Sequence, residues 1–427
     1  MYRTFRKRRG GTPPSLDWKM AVAEEIPPSY RRLFAIEGLP RLVGSMLLAR
    51  TAGQMVALVL VLFALERFHS PGLAGLVTFL SIFPGLVLSP IAGALLDRHG
   101  RTRLIVLDYL VATAMLALIV VLGATNALSE WALLAIVTVQ SLTYPLSQTG
   151  IRTLFPLMVP RPLWERANAI DSNGYVVATI FGPALAGALV AGVGSLWAFA
   201  LTSAMFVIAA VIAIGVRDPL GAVSSAPLLG EAWAGLIYVL RHATLRALAL
   251  SVGLANIANG FFYIGLPVFV LTRLGGDPAQ VGQLFALMGV SAAVSVLFFG
   301  RVGTAGRERQ LMAGAILGTG IAYLVVAFSP GLAVVVLGML LIGIATGPFD
   351  VVLFTIRQRR TDPAWMGRAF AVSMSLNYIG FPIGSGLAGA LVPLSLAVTF
   401  AIAVALCVVA AAVTLVAIPD EHPPILR

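Results

Sequence analysis

From residue 42 onward the chain alternates apolar runs with short polar breaks. At roughly 20 residues per membrane crossing, the runs predict twelve helices. Six fall at 42–66, 72–96, 102–124, 130–154, 168–192 and 195–216, and six at 247–271, 279–303, 309–329, 331–356, 367–391 and 394–418. The pattern repeats: 165–190 and 367–392 align without gaps at an offset of 202 and share ten identities, including Arg166/Arg368 and Gly182/Gly384. The expected fold is therefore an all-α membrane protein, with twelve transmembrane helices in two six-helix repeats. It divides into a basic N-terminal segment (1–41), a first bundle (42–216), a linker (217–246), a second bundle (247–418) and a short tail (419–427). From Glu231 the linker reads as an amphipathic helix lying on the membrane surface.

Composition strengthens this reading. A chain that is 59% hydrophobic and 11% charged carries more apolar surface than a water-soluble fold hides. The net charge of +11 would suggest nucleic acid in a soluble protein, but here the cations follow the loops. Of 29 Lys and Arg residues, all but Arg50, Arg67 and Arg273 lie in the termini, the even-numbered loops or the adjoining helix ends. The positive-inside rule then puts both termini in the cytoplasm of a multi-pass plasma-membrane protein, with lipid rather than nucleic acid as the partner of its charge. The basic cluster Arg3 to Arg9 is not followed directly by an apolar run, so a cleavable signal peptide is not expected, and the segment reads as a tail on the anionic inner leaflet.

Enzyme and cofactor signatures are absent from the sequence. Cys407 is the single cysteine, and His69, His99, His242 and His422 are far apart, so neither a disulfide nor a metal site is expected. No phosphate-binding G-x-x-x-x-G-K-S/T loop occurs, which argues against ATP as the driving force.

The stretch Gly93-Ala-Leu-Leu-Asp97-Arg98-His99-Gly100-Arg101-Thr102-Arg103 separates the second and third runs. Gly100 supplies the backbone freedom that a tight turn between two membrane helices requires. This G-x-x-x-D-R-x-G-R-x-R pattern resembles the signature loop of the major facilitator superfamily of transporters. The resemblance implies a cytoplasmic latch in which Asp97 faces the amino end of the eleventh helix, near Gly367 and Arg368, where the helix dipole favours an anion. A second copy, Gly300 to Arg309, has Gly303 where Asp97 would stand. In the fifth run, Gly182-Pro183 and Gly187 partly match the G-x-x-x-G-P-x-x-G-G motif of exporters in that superfamily. The stretches Arg152 to Pro160 and Arg166 to Ala169 look like its drug-efflux subgroup, which includes macrolide exporters and the enterobactin exporter.

Polar groups within the spans mark the candidate site, because ionisable residues there usually face a protein interior or a wet cavity. Arg50 lies about eight residues into the first span, roughly 12 Å deep, and is expected to line a cavity, with Gln54 one turn on sharing its face. Asp350 is the first candidate for a proton-coupling group, with pairing to Arg357 as the competing reading. Asp108 and Asp171 sit near the cytoplasmic ends of their helices, where Arg103, Arg152 or Arg166 would suffice as latch partners. The cavity is expected to draw on Gln140, Tyr144, Gln148, Asn173, Tyr175, Asn256, Asn259, Phe262, Tyr263, Asn377 and Tyr378, of which substrate contacts are expected at Tyr144, Gln148, Asn256, Asn259, Tyr263, Asn377 and Tyr378. A mostly apolar pocket with a few amides and phenols suits an amphipathic organic molecule better than a sugar. The proton-antiport motif R-x-x-Q-G is absent from the fourth span.

These features point to a secondary transporter working by alternating access, a monomer that exports a drug-like or siderophore-like small molecule against inward proton flow. The alternatives are an importer or proton-independent facilitator, a lipid or lysolipid transporter, and a transport-dead membrane sensor.

Overall fold

Serine and aspartate caps start four of the membrane-spanning segments. The side chains of Ser70, Ser129, Asp277 and Ser395 accept from the backbone N–H groups of Leu73, Ala132, Gln280 and Val398, satisfying donors that a helix start leaves free. The computed structural model describes residues 29–218, 228–301, 304, 306–362 and 365–419. In chain order the helices are α1 (Tyr30–Phe34), α2 (Leu39–Phe68), α3 (Pro71–Leu80), α4 (Phe83–His99), α5 (Arg101–Ala124), α6 (Glu130–Met158), α7 (Trp164–Val193), α8 (Ser195–Ile214), α9 (Leu228–Arg241), α10 (Ala243–Val268), α11 (Pro278–Phe299), α12 (Glu308–Ala327), α13 (Leu332–Arg360), α14 (Met366–Tyr378), α15 (Gly380–Leu391) and α16 (Leu396–Ala417). The second span is thus broken into α3 and α4 at Ser81 and Ile82, and the eleventh into α14 and α15 at Ile379. Among the described residues, 10 helical stretches are long and apolar enough to cross a membrane. The more polar α6 and the broken α14–α15 rod complete the expected twelve.

Each bundle wraps a buried helix. In the first, α2 packs against α7 and α8, and its run Leu58 to Ala64 is buried throughout. In the second, α10 packs against α15 and α16, with Phe262 stacked on Tyr323 at 4.3 Å between ring centroids. Phe262, expected at the cavity, is a core residue instead, since its ring has an aromatic partner inside its own bundle.

The bundles meet along two seams related by the internal repeat. At one seam α7 lies on α11: a Cβ on Gly187 would stand 2.4 Å from the Pro278 carbonyl oxygen and 2.9 Å from the Gly282 Cα. At the other seam α15 lies on α3, and a Cβ on Gly389 would stand 2.9 Å from both the Gly72 carbonyl oxygen and the Gly75 Cα. Only glycine permits backbones this close. Both seams lie toward the ends of the bundles that carry the caps of α3 and α11, far from the linker.

On the opposite, linker face the termini of the described chain and α9 come together. Arg217 lies 3.5 Å from Glu37, Arg360 donates to the Pro419 carbonyl at 2.8 Å, and Tyr238 of α9 stacks on Trp365 at 4.9 Å with only 7° between the rings. Here, among the described residues, α4 packs chiefly on α6, α9 and α5 rather than on α14, so the described parts of the bundles diverge on this side. The side chains of Asp97 and Arg368, expected to latch this face, lie outside the described residues, as do Gly303 and the basic segment before Ser29.

Candidate functional site

The hinge forms as its glycine requires: Gly100 adopts φ +89°, so α4 turns into α5 without an intervening loop. Asp218, from the start of the linker, accepts from the backbone N–H groups of Arg101 and Thr102, with the latter at 3.4 Å. A carboxylate there caps the α5 amino end, where the helix dipole favours it. Arg101 also donates from Nε to Thr153 Oγ1 on α6 at 3.2 Å. The second hinge copy makes the corresponding tie through Glu308, which is buried and paired with Arg359 at the end of α13 at 2.6 Å. Asp218 and Glu308 carried no conspicuous signal in the sequence, since a single acid in a polar break is common.

Above the hinge, between the bundles, lies a cavity of about 190 Å³. Helices α2, α5, α6 and α7 supply Arg50, Gln54, Asp108, Tyr109, Gln140, Tyr144, Ser147, Gln148 and Tyr175, and the second bundle supplies Tyr263, Tyr378 and Phe381. Arg50, Gln54, Tyr144, Gln148, Tyr263 and Tyr378 are therefore brought together as expected. Asn256, Asn259, Asn377 and Asp350 do not line this cavity. Asn256 instead donates to the Asn377 carbonyl at 2.9 Å, bracing α10 on α14, and Asn259 is an exposed residue of α10.

Arg50 is the centre of a polar network. Its guanidinium donates to the Asp171 carboxylate at 2.6 Å and to the Asp171 carbonyl at 2.8 Å, and it lies over the Tyr175 ring at 3.7 Å. The Tyr175 hydroxyl donates to Gln148 at 2.7 Å and accepts from Arg152 at 3.2 Å. Asp171 thus pairs with Arg50 from α2 rather than with Arg103, Arg152 or Arg166, because its side chain turns into the bundle, where it is 19% exposed against 3% for Arg50. Such a pair compensates two charges that membrane depth would make costly singly. Tyr175 joins the α2, α6 and α7 side chains; its place opposite Arg50 depends on helix packing that spacing along the chain does not reveal.

Asp108 is 4% exposed and also faces the cavity, yet no Lys or Arg pairs with it among the described residues. The hydroxyls of Ser147 and Thr143 stand beside its carboxyl. The expected latch pairing with Arg103 or Arg152 does not form: Arg103 points outward at the hinge and Arg152 is engaged with Tyr175.

In the second bundle Asp350 and Arg357 do not pair. Arg357 is fully buried and turns toward α14, where it lies 2.8 Å from Met374 Sδ and 5.2 Å from the Phe370 ring centroid, and the Asn377 side-chain oxygen accepts from it at 2.6 Å. Asp350, half-buried on α13, occupies the repeat position of Gln148 on α6, at the same offset of 202.

Gly182, Pro183 and Gly187 act at two contacts. A Cβ on Gly182 would stand 2.4 Å from Gln54 Cβ on α2, and a Cβ on Gly282 of α11 would stand 2.3 Å from the Pro183 carbonyl oxygen. The motif is thus where α7 passes between α2 and α11.

Two six-helix bundles of repeated sequence, joined by a surface helix and enclosing a central cavity, define a major facilitator transporter. The chain belongs to that superfamily and, within it, to the transmembrane secretion effector family, whose profile matches residues 45–422. It is 40% identical over 398 residues to the uncharacterized MFS-type transporter y4rN of Sinorhizobium fredii, covering 92% of this chain and 98% of that one. It is 25% identical to the multidrug efflux pump Tap of Mycolicibacterium fortuitum (80% and 87% covered), and 21% identical to macrolide efflux protein A of Streptococcus pyogenes (78% and 86%). Among solved structures it resembles the nucleoside transporter NupG, with a TM-score of 0.74 at 13% identity over 89% of this chain and 99% of the other. The protein is a multi-pass membrane transporter of small molecules, not an enzyme.

Proposed function

We propose that this transporter exports an amphipathic small molecule across the plasma membrane by alternating access, driven by inward proton flow, and works as a monomer. On this reading the linker face is cytoplasmic, and the described conformation is the one that loads from the cytoplasm. The observation that carries it is the central cavity, walled by phenols, amides and a buried charge network and sealed on the far side by the two glycine seams. A seal on one side and divergence on the other is what one half of an alternating cycle requires. The efflux pumps among the relatives support the direction of transport. Asp350 is the proposed proton carrier, since it is the one acid deep in the second bundle's spans and has no ion partner among the described residues. The latch proposal for Asp97 and Arg368 belongs to the complementary conformation, in which α4 and α14 would meet.

The test is accumulation of fluorescent amphipathic compounds in cells lacking their own drug pumps. Expression should lower steady-state accumulation several-fold, and an uncoupler should restore it. Higher accumulation on expression would mark an importer, and lowering that survives the uncoupler would mark a facilitator or another energy source.

A further inference from the structure

Among the described residues the cavity and the network behind it hold two guanidiniums, Arg50 and Arg152, and two carboxylates, Asp108 and Asp171, of which Arg50 and Asp108 line the cavity itself. Arg50 is committed to Asp171 through both a side-chain and a backbone contact, at 2.6 and 2.8 Å. Asp108 is left as a buried acid that faces the same space. Ser147 and Thr143 can solvate its carboxyl, but hydroxyls do not cancel its charge. The titratable and charged groups around it come from four helices: Tyr109 on its own helix, Tyr144 and, behind Tyr175, Arg152 on α6, Arg50 on α2 and Tyr175 with Asp171 on α7, while α8 brings no titratable side chain. The charged end of α4 lies about two helical turns away, roughly 12 Å, at the hinge.

The walls beside Asp108 are aromatic. Tyr144 and Tyr175 face it from the first bundle, and Tyr263, Tyr378 and Phe381 close the space from the second. Tyr263 and Tyr378 both pack against Phe381, at 5.3 and 6.0 Å between ring centroids, so the second-bundle wall is one continuous aromatic surface. Ring faces attract a cation stripped of water, and a carboxylate at their edge fixes its position. The same site disfavours an anion, because Asp108 lines it and Arg50, the guanidinium that lines it, already has its counter-charge in Asp171.

We infer that Asp108 and the surrounding tyrosines form a subsite for an organic ammonium group, so that the transported molecule is an amphipathic cation rather than a catecholate or other anion. This rests on the transporter reading above and narrows its substrate class. Asp108 contacts the cargo, whereas the proton is assigned to Asp350 in the other bundle.

The experiment is equilibrium binding to the purified full-length protein in lipid nanodiscs, using ethidium as the cationic probe, an uncharged fluorophore of similar size, and 2,3-dihydroxybenzoate as the anionic probe. The wild type should bind ethidium, Asp108→Asn should weaken that binding at least tenfold, and Asp108→Glu should recover most of it. Binding of the uncharged fluorophore should persist in all three, which also reports that the variants are folded. Equal ethidium binding by wild type and Asp108→Asn would overturn the inference, as would tight binding of 2,3-dihydroxybenzoate with none of ethidium. Failure of the export reading is seen separately, as the absence of any transport in cells while ethidium binding at Asp108 remains.

Discussion

Arg50 and Asp171 join α2 to α7 at 2.6 Å, well inside the membrane-spanning part of the first bundle, with the Tyr175 ring laid against the guanidinium. Removing either partner alone leaves an uncompensated buried charge. Arg50→Ala and Asp171→Ala should each destabilise the protein by about 3–5 kcal/mol, and the double replacement Arg50→Met with Asp171→Leu should restore most of that loss. Thermal unfolding in detergent, compared across the three variants, checks this. A loss in the double variant equal to the sum of the two single losses would mean that the residues act independently.

The glycine seams should be intolerant of any side chain. Gly187→Val puts atoms where the Pro278 carbonyl and Gly282 backbone already stand, so the bundles must part on that side. Spin labels at Trp131 and Phe328, both exposed at the ends of α6 and α12 on the seam side, should then report a longer and broader distance than in the wild type. Transport should fall at least tenfold, because the state sealed on this face can no longer form.

Much of this architecture was legible from the chain. The twelve apolar runs, the offset of 202 and the hinge glycine each rest on local or periodic features, and the helices fall within a few residues of the expected bounds. Arg50 was conspicuous because a charge that deep in an apolar run has few explanations. Its partner was not, since Asp171 sits 121 positions away and three nearer arginines would have served equally well. The same limit hid the second half of each seam: Gly187 belongs to a visible motif, whereas Gly282 and Gly75 lie in ordinary apolar sequence and gain their meaning only from the facing backbone. Asn256 and Asn377 were expected at the cavity on polarity alone, but their amides are used in bracing α10 against α14 and in holding Arg357.

The hinge cap offers a milder test. Asp218→Ala removes the carboxylate that accepts from the first N–H groups of α5, which should cost about 1 kcal/mol and fray the helix start. Amide exchange at Arg101 and Thr102 should quicken while the rest of α5 keeps its protection. Asp218→Asn should retain most of the cap.

Where the linker helix meets the second bundle, burial, and then the nearby Arg360, hold the His242 imidazole below its ordinary pKa. Its buried Nδ1 has no hydrogen-bond partner among the described residues. A histidine shifted this way binds a proton more readily unfolded than folded. It therefore does not affect stability while both states are neutral, and it lowers stability as pH falls through the ordinary histidine range. His242→Gln should flatten the decline in melting temperature between about pH 7 and pH 5, the span around the unperturbed value. An unchanged slope would place the acid sensitivity elsewhere.

Substrate-driven proton movement in proteoliposomes tests the proposed mechanism most directly. Wild type and Asp350→Asn are reconstituted around a pH-sensitive dye, a proton gradient is imposed, and ethidium is added to the outside. The expected result is ethidium movement opposite to the protons in the wild type, with gradient dissipation that depends on ethidium and is lost in Asp350→Asn. Ethidium movement at equal rates in both proteins, without proton flux in either, would contradict it.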